Sequence, residues 1–346
     1  MRKIIALLML LLLLTPPAHA AEAPYPRSTV LSAVELTTSQ RKLADFLYPC
    51  IFRGDTRIEL PKNTAYSDVS PAMHSLMQDY PELFHLDKNY SVGYYQNTPQ
   101  TASWLEPRYR MGSAEAASLR ARLYVEAKSL ADGLRQPEAL HDALCSRVTY
   151  GGRTDMRHTA VGALLDGQAT CEGYAQALTL LYRMTGYPCG VISGQAVDSS
   201  GRTEGHSWNI AFLNGYTLID ATWNDQDNLG INTHWYYGLS TAQMGTDHFP
   251  DADAVLPFCG EQDNWHTVRG YTVASQAGID AALRRLAAGE TVNLRFTDWR
   301  LYHPLASNAH DCLTDYNERN PAQAFYGSYS ITKSETQLCL LLQPGQ

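Results

Sequence analysis

The stretch Gln168-Ala-Thr-Cys171-Glu-Gly-Tyr-Ala-Gln-Ala177 is followed by Gly205-His206-Ser-Trp-Asn209 and then by Leu218-Ile-Asp220-Ala-Thr-Trp223. A thiol, an imidazole and a carboxylate therefore occur in the order and local context that thiol acyl chemistry uses. From Thr170 to about Thr185 the residues Tyr174, Ala177, Leu178, Leu181, Tyr182 and Met184 recur at helical spacing. Thr170 is an acceptable N-cap, and Gly186-Tyr-Pro188 is a good stop. Cys171 is thus expected in a first helical turn, where unpaired backbone N–H groups and the helix dipole favour negative charge. A thiol needs that help, because its unperturbed pKa is about 8.5 and only the thiolate attacks. The small neighbours Ala169, Gly173 and Ala175 leave room for a substrate and for close packing of the helix. The alternative is a buried structural cysteine, which would make the later histidine and aspartate a coincidence.

The residues after the helix read as a hairpin. His206 to Leu213 is expected as one strand, Asn214-Gly215 as the turn, and Tyr216 to Trp223 as the return strand. Loop length decides whether the two polar groups can meet, because strand side chains alternate in direction. A two-residue loop pairs Leu213 with Tyr216 and puts His206 and Asp220 on opposite faces. A three-residue loop, Leu213-Asn214-Gly215 with glycine in the left-handed position, pairs Phe212 with Tyr216 instead. Asp220 then lies opposite Trp208, diagonal to His206 and on its face, about 7–8 Å away along the backbone. The three-residue loop is expected. The face carrying Trp208, Ile210, Phe212 and Leu218 is expected to receive the Cys171 helix. In that geometry His206 takes the thiol proton and later protonates the leaving group, and Asp220 fixes the imidazole. The Cys171 backbone N–H is a candidate oxyanion donor, with Gln168, Trp208 and Asn209 as further oxyanion or positioning candidates.

The run from Gly162 to Ala177 resembles the nucleophile segment of the transglutaminase-like superfamily, and His206-Ser-Trp-Asn209 and Asp220-Ala-Thr-Trp-Asn224 resemble its histidine and aspartate motifs. Tyr236-Tyr-Gly-Leu-Ser240, followed by His248, is similar to a segment that bacterial members often carry after the core. Asp79-Tyr-Pro-Glu-Leu-Phe84 resembles a motif of the domain that often precedes it. The interval from Gly215 to Asp220 is one residue shorter than the usual pattern. The resemblance implies an α+β fold, with a papain-like core in which the cysteine helix packs on an antiparallel sheet. It also implies Cys171, His206 and Asp220 as the catalytic set. The superfamily includes transglutaminases, thiol peptidases, amide hydrolases and inactive members, so hydrolysis, amine transfer and a binding or scaffold role all remain open here. Hydrolysis is favoured, since water is always present whereas transfer needs an amine pocket.

Composition narrows the setting. Arg2-Lys3, the apolar run Ile4 to Leu14 and Ala18-His-Ala20 read as a secretory leader (residues 1–20), with the mature chain starting near Ala21 in the periplasm or outside the cell. The apolar run is short for a membrane span, and no later segment reaches spanning length. The formal charge of the 346-residue chain is −8, and loss of Arg2 and Lys3 takes it to −10. That balance excludes a general nucleic-acid or anionic-membrane binder. A protein or peptide substrate, in the cell envelope for an exported enzyme, is the expected partner. Of seven cysteines, six remain once Cys171 is set aside, which allows up to three disulfides in an oxidising compartment. No cysteine pair has zinc-ligand spacing, and no metal or cofactor is expected. Asp225-Gln-Asp227-Asn and Asp251-Ala-Asp253 are read as solvated acidic loops in preference to calcium sites.

Four segments follow: the leader, an N-terminal α+β flanking region (21–112), the catalytic core (113–255) and a C-terminal α+β region (256–346). Residues 21–37 read as a flexible leader segment. Helices are expected over Ser39–Tyr48, Ser113–Leu134 (capped by Ser113), Gln136–Val148 and Ala277–Ala288. Strand character is expected over Tyr90–Tyr109, Tyr271–Ser275, Thr291–Phe296 and Gln337–Leu342. The aromatic stretch Thr297–Pro321 reads as a loop-rich packing region.

Overall fold

The computed structural model describes residues 23–226 and 229–345. The leader at 1–20, the start near Ala21 and Asp227 lie outside them. The first unit contains helices α1 (Thr38–Arg53) and α2 (Tyr66–Asp79) and a three-stranded antiparallel sheet of β1 (Ile58–Glu59), β2 (Leu86–Gly93) and β3 (Trp104–Tyr109), in the order β1-β3-β2. Thr37 caps α1 in a reciprocal box with Gln40, and Gly54 closes it at φ 85° in the left-handed region that suits glycine. Leu47, Ile51, Ala72, Met73, Leu76 and Leu105 form its core.

Two helices lead into the central unit, α3 (Ser113–Ala131) and α4 (Pro137–Arg147). Gly112, not Ser113, occupies the N-cap of α3, and Ser113 is its first helical residue. Short strands β4 (Thr149–Tyr150) and β5 (Gln168–Ala169) pair in parallel and deliver the chain to α5 (Cys171–Met184). Every α5 residue from Gly173 to Arg183 is buried, which makes α5 the axis of the molecule. A five-stranded antiparallel sheet lies against it. Its strands are β6 (Cys189–Val197), β7 (Thr203–Phe212), β8 (Tyr216–Ile219), then, after helix α6 (Ala221–Asn224) and the small pair β9 (Asp225–Gln226) and β10 (Ile231–Asn232), β11 (Tyr237–Leu239) and, past helix α7 (Thr241–Met244), β12 (His248–Pro250). The spatial order is β11-β8-β7-β6-β12.

The sheet is covered on both sides. Cys189, Ala211 and Ile219 pack with Tyr174, Leu178 and Leu181 of α5. Ile192, Trp208, Ile210 and Leu218 pack on the other side with Trp235, Leu239, Met244 and Leu341. The Cys171 helix therefore does not rest on the face of Trp208, Ile210 and Leu218, as the sequence suggested, but on the opposite one. The exposed Phe212 covers neither. Asn209 fixes this choice: its Nδ2 donates to Ala175 O and Thr179 Oγ1 at 2.9 Å each and to Gly190 O at 3.2 Å, tying β7 to α5 through a fully buried amide.

The last unit has α8 (Trp265–Arg269), β13 (Thr272–Val273), α9 (Gln276–Ala287), β14 (Val292–Phe296), α10 (Trp299–Ser307), α11 (Ala309–Arg319), β15 (Tyr329–Ser334) and β16 (Cys339–Pro344). Its sheet runs β13-β14-β16-β15, with the first pair parallel. The stretch 297–321 is thus largely two helices, not loops. Tyr302, Leu305, Leu313 and Tyr316 point their apolar side into this unit's core.

Residues 23–37 are not a loose tether. Tyr25, Thr29, Ala33 and Val34 are buried, and Val30 bridges to Cys189. Arg183 of α5 is fully buried beneath this segment. Its guanidinium donates to Cys189 O at 2.7 Å, to Leu31 O and the Tyr25 hydroxyl at 3.4 Å each, and to Asp79 O. Glu82 accepts from the Tyr25 and Tyr48 hydroxyls at 2.7 Å each. The Asp79–Phe84 stretch is therefore the joint between the first unit and the central helix. All seven cysteines are free thiols, so none of the three bridges allowed by the count forms. Cys145, Cys189, Cys259 and Cys339 behave as small buried core residues.

Candidate active site

Cys171 opens α5 with Thr170 at the N-cap position. The Thr170 hydroxyl does not cap the helix. It pairs with His158 Nδ1 at 2.9 Å, so the first-turn N–H groups are not taken by a side-chain cap. Gly173 lets the helix start press against the preceding chain: a Cβ there would stand 2.4 Å from Arg157 O and 2.8 Å from Ala169 Cβ. Room for close packing at this position was the sequence reading, and the contact is tighter than a methyl group allows.

The hairpin register matches the three-residue loop, with Phe212 opposite Tyr216, Ala211 opposite Thr217 and Asn209 opposite Ile219. Gly215 does not take the left-handed conformation expected of it. Asp263 holds the turn instead, accepting from Asn214 Nδ2 at 2.7 Å and from Asn214 N at 3.3 Å. The return strand is also shorter than expected. It ends at Ile219, and Asp220 becomes the N-cap of α6, accepting from Thr222 N at 2.9 Å and Trp223 N at 3.2 Å through Oδ1. Because β8 stops there, β7 has no neighbour on that side at the level of His206. The imidazole is open to the helix start around this edge, although α5 covers the other face.

His206 Nε2 lies 2.7 Å from Asp220 Oδ2, with His206 7% exposed and Asp220 fully buried. The Cys171 thiol stands near enough to the same imidazole to raise its pKa. With Nε2 committed to Asp220, Nδ1 is the nitrogen left for the thiol. Burial disfavours the His206 cation, but the Asp220 charge and hydrogen bond and the Cys171 contact outweigh it and push the pKa up to about 10. Burial likewise opposes the Asp220 carboxylate, and His206 followed by His248 holds its pKa well below the usual range. Tyr150 flanks the group, 57% exposed. Its phenol is raised by burial and then by the charges of Cys171, Glu204 and Asp220.

The other candidates separate. Trp208 is buried, its ring nearly parallel to that of His206 at 6.1 Å between centroids, which fixes the imidazole plane. Asn209 points away from the thiol into the α5 contact, so it holds the helix and has no donor to give an oxyanion. Gln168 is exposed on β5 opposite Thr149. His248, which follows the Tyr236–Ser240 segment, joins the site without a local sequence signal for its role. Its Nε2 lies 3.2 Å from Asp220 Oδ2 and its Nδ1 2.6 Å from Asp247 Oδ1. Among the described residues, two groups converge closely enough to be asked about a metal: His206, Asp220 and His248, and His141, Asp142 and His234. In the second, Asp142 Oδ1 lies 2.9 Å from His141 Nδ1 and 2.7 Å from His234 Nε2. Hydrogen bonds account for the spacing in both. Asp253 of the second acidic loop lies 3.6 Å from His74 Nδ1.

Residues 122–223 match the model of the Transglutaminase-like superfamily. Cys171, His206 and Asp220 all fall inside the match. No curated protein matches the chain. Among solved structures, one described as a TGase is 12% identical over 40% of this chain and 45% of its own, with a TM-score of 0.27. A putative cysteine protease from Cytophaga hutchinsonii is 14% identical over 42% and 64%, with a TM-score of 0.26. The periplasmic domain of TgpA from Pseudomonas aeruginosa is 19% identical over 36% and 55%, with a TM-score of 0.24. The chain thus spans less than two thirds of each of these structures.

Proposed function

We propose that the protein is an exported cysteine-dependent enzyme that acts on an amide or peptide bond through a Cys171 acyl-enzyme. The observation that carries this reading is one imidazole shared between the Asp220 carboxylate, at 2.7 Å, and the thiol at the start of a buried helix. His206 removes the thiol proton and holds it as an imidazolium. The thiolate attacks the carbonyl carbon, and the tetrahedral oxyanion is met by first-turn N–H groups of α5, that of Cys171 among them. Collapse expels the amine, which takes its proton from His206. Water, activated by the now neutral imidazole, releases the acid and restores the thiol. Export rests on the leader read at residues 1–20. Among the described residues, no helix is long and apolar enough to cross a membrane.

A primary amine in place of water would make the same intermediate a transglutaminase product. Hydrolysis is the preferred outcome, because the flank of the thiol at Tyr150 is exposed. Two experiments test the reading. Iodoacetamide at pH 7 should alkylate Cys171 faster than the other six thiols, and His206→Ala should slow it at least about tenfold. A glutamine peptide with and without a primary amine, beside a protein substrate scored for backbone cleavage, assigns the acceptor. Equal labelling of Cys171 in wild type and His206→Ala would leave a binding module on the same fold.

A further inference from the structure

The Asp220 carboxylate serves two imidazoles. Oδ1 is filled by two backbone N–H groups of α6, and Oδ2 faces both His206 Nε2, at 2.7 Å, and His248 Nε2, at 3.2 Å. His248 is itself wedged between carboxylates, since its Nδ1 lies 2.6 Å from Asp247 Oδ1. A neutral imidazole has one N–H and one lone pair. In either tautomer it would turn that lone pair toward an acceptor oxygen at one of these two contacts. Asp247 is held in place by the Tyr236 hydroxyl at 2.8 Å and Gln337 Nε2 at 3.1 Å, both donating to its Oδ2. The ring packs among Trp208 at 5.0 Å, Trp223 at 4.6 Å, Tyr236 at 5.4 Å and His206 at 5.3 Å between centroids.

We propose that His248 is a positioning residue for the Cys171–His206 pair: a fixed imidazolium that bridges Asp220 and Asp247, holds the Asp220 carboxylate against His206, and divides its charge between two rings. The proposal rests on the function proposed above. The charged and titratable groups facing His248 are Asp247 just before its strand, Asp220 at the start of α6, His206 on β7 and the Tyr236 phenol before β11. The Cys339 thiol stands beyond Tyr236, and Arg295 Nη1 meets Gln337 Oε1 at 3.1 Å. Once the thiolate–imidazolium pair has formed, two carboxylates and a thiolate face two imidazolium rings, a net charge of −1; without His248 it would be −2, and Asp220 would lose one of the donors that fix its plane.

The test uses the full chain. Nitrogen-15 NMR of the imidazole rings at pH 7.5, with His248 assigned by its loss in His248→Gln, should show both His248 nitrogens protonated; a single protonated nitrogen overturns the bridge. Alkylation of Cys171 by iodoacetamide at pH 7 should slow at least about tenfold in His248→Leu. His248→Gln, which keeps a donor toward Asp220 without the charge, should recover most of that rate while raising the His206 ring titration midpoint by about one unit. His248→Leu that folds, by circular dichroism, and labels as wild type refutes the positioning role. If wild-type Cys171 labels as an ordinary thiol while His248 is doubly protonated, thiol catalysis fails and the imidazolium bridge stands; the converse pattern sinks the bridge alone.

Discussion

Asp220→Asn is the sharpest single perturbation of this site. The amide oxygen can still accept from Thr222 N and Trp223 N, so the cap of α6 and the local backbone are kept. What disappears is the charge 2.7 Å from His206 Nε2. With it the His206 pKa is about 10, and burial acting alone would put it below its ordinary 6.5. The variant therefore loses the largest favourable contribution to the imidazolium, while the smaller one from Cys171 remains. At pH 7.5 an imidazole of pKa 6.5 is protonated only about a tenth of the time, so the thiolate–imidazolium pair gives way to thiol and neutral imidazole. The assay is the pH dependence of iodoacetamide alkylation of Cys171, read by mass spectrometry of its peptide. Wild type should label readily at neutral pH. Asp220→Asn should label at least about tenfold more slowly at pH 7. A folded Asp220→Asn protein with the wild-type profile would refute the claim that this carboxylate sets the charge state of the pair.

Three further outcomes follow from the same structure. The His206 pKa is raised in the folded state, so its contribution to stability is complete below about pH 6.5 and is lost as pH climbs through about 10; thermal melts should show that alkaline decline, and Asp220→Asn should flatten it. Gly173→Ala places a methyl group 2.4 Å from the Arg157 carbonyl, and a loss of about 1–3 kcal/mol in urea unfolding is expected, with slower Cys171 labelling because the helix start must shift. Arg183→Met leaves the carbonyls of Asp79, Leu31 and Cys189 without their shared donor. It should destabilise by about 3 kcal/mol or more and open residues 23–36 to chymotrypsin, whereas unchanged resistance would show that the segment is held by other contacts.

The sequence disclosed the parts of this fold whose signals are local. The apolar spacing from Tyr174 to Met184 defines α5, and the polarity of His206 and Asp220 fixes the hairpin register, since only one loop length brings them to one side. Which sheet face receives the helix was not legible. Every β7 residue from His206 to Ala211 is buried, so both faces are core and alternation does not distinguish them. The deciding residue is polar: Asn209, buried by its bonds to α5. Residues 299–319 read as irregular because Pro304 and the many His, Asp and Asn residues mask the helical spacing of Leu301, Tyr302 and Leu305 and of Leu313 and Tyr316. Cysteine count cannot separate pairing from burial, and here burial is the answer for four of the seven. His248 escaped notice as a partner of Asp220 because its strand joins the sheet at the far edge, beside β6, by a pairing no local pattern announces.

Gln337 sits at the tip between the last two strands, yet its Nε2 reaches Asp247, and Arg295 on β14 grips both the Gln337 side chain and the Trp235 carbonyl. The machinery around the thiol is therefore not portable. A fragment cut to residues 122–223 would inherit Cys171, His206 and Asp220 while leaving behind the second imidazole, its acid and the amide that steadies them. Exchanging the tail for that of a distant relative would meet the same obstacle, since the spare part would have to present a donor within reach of one aspartate deep in its neighbour.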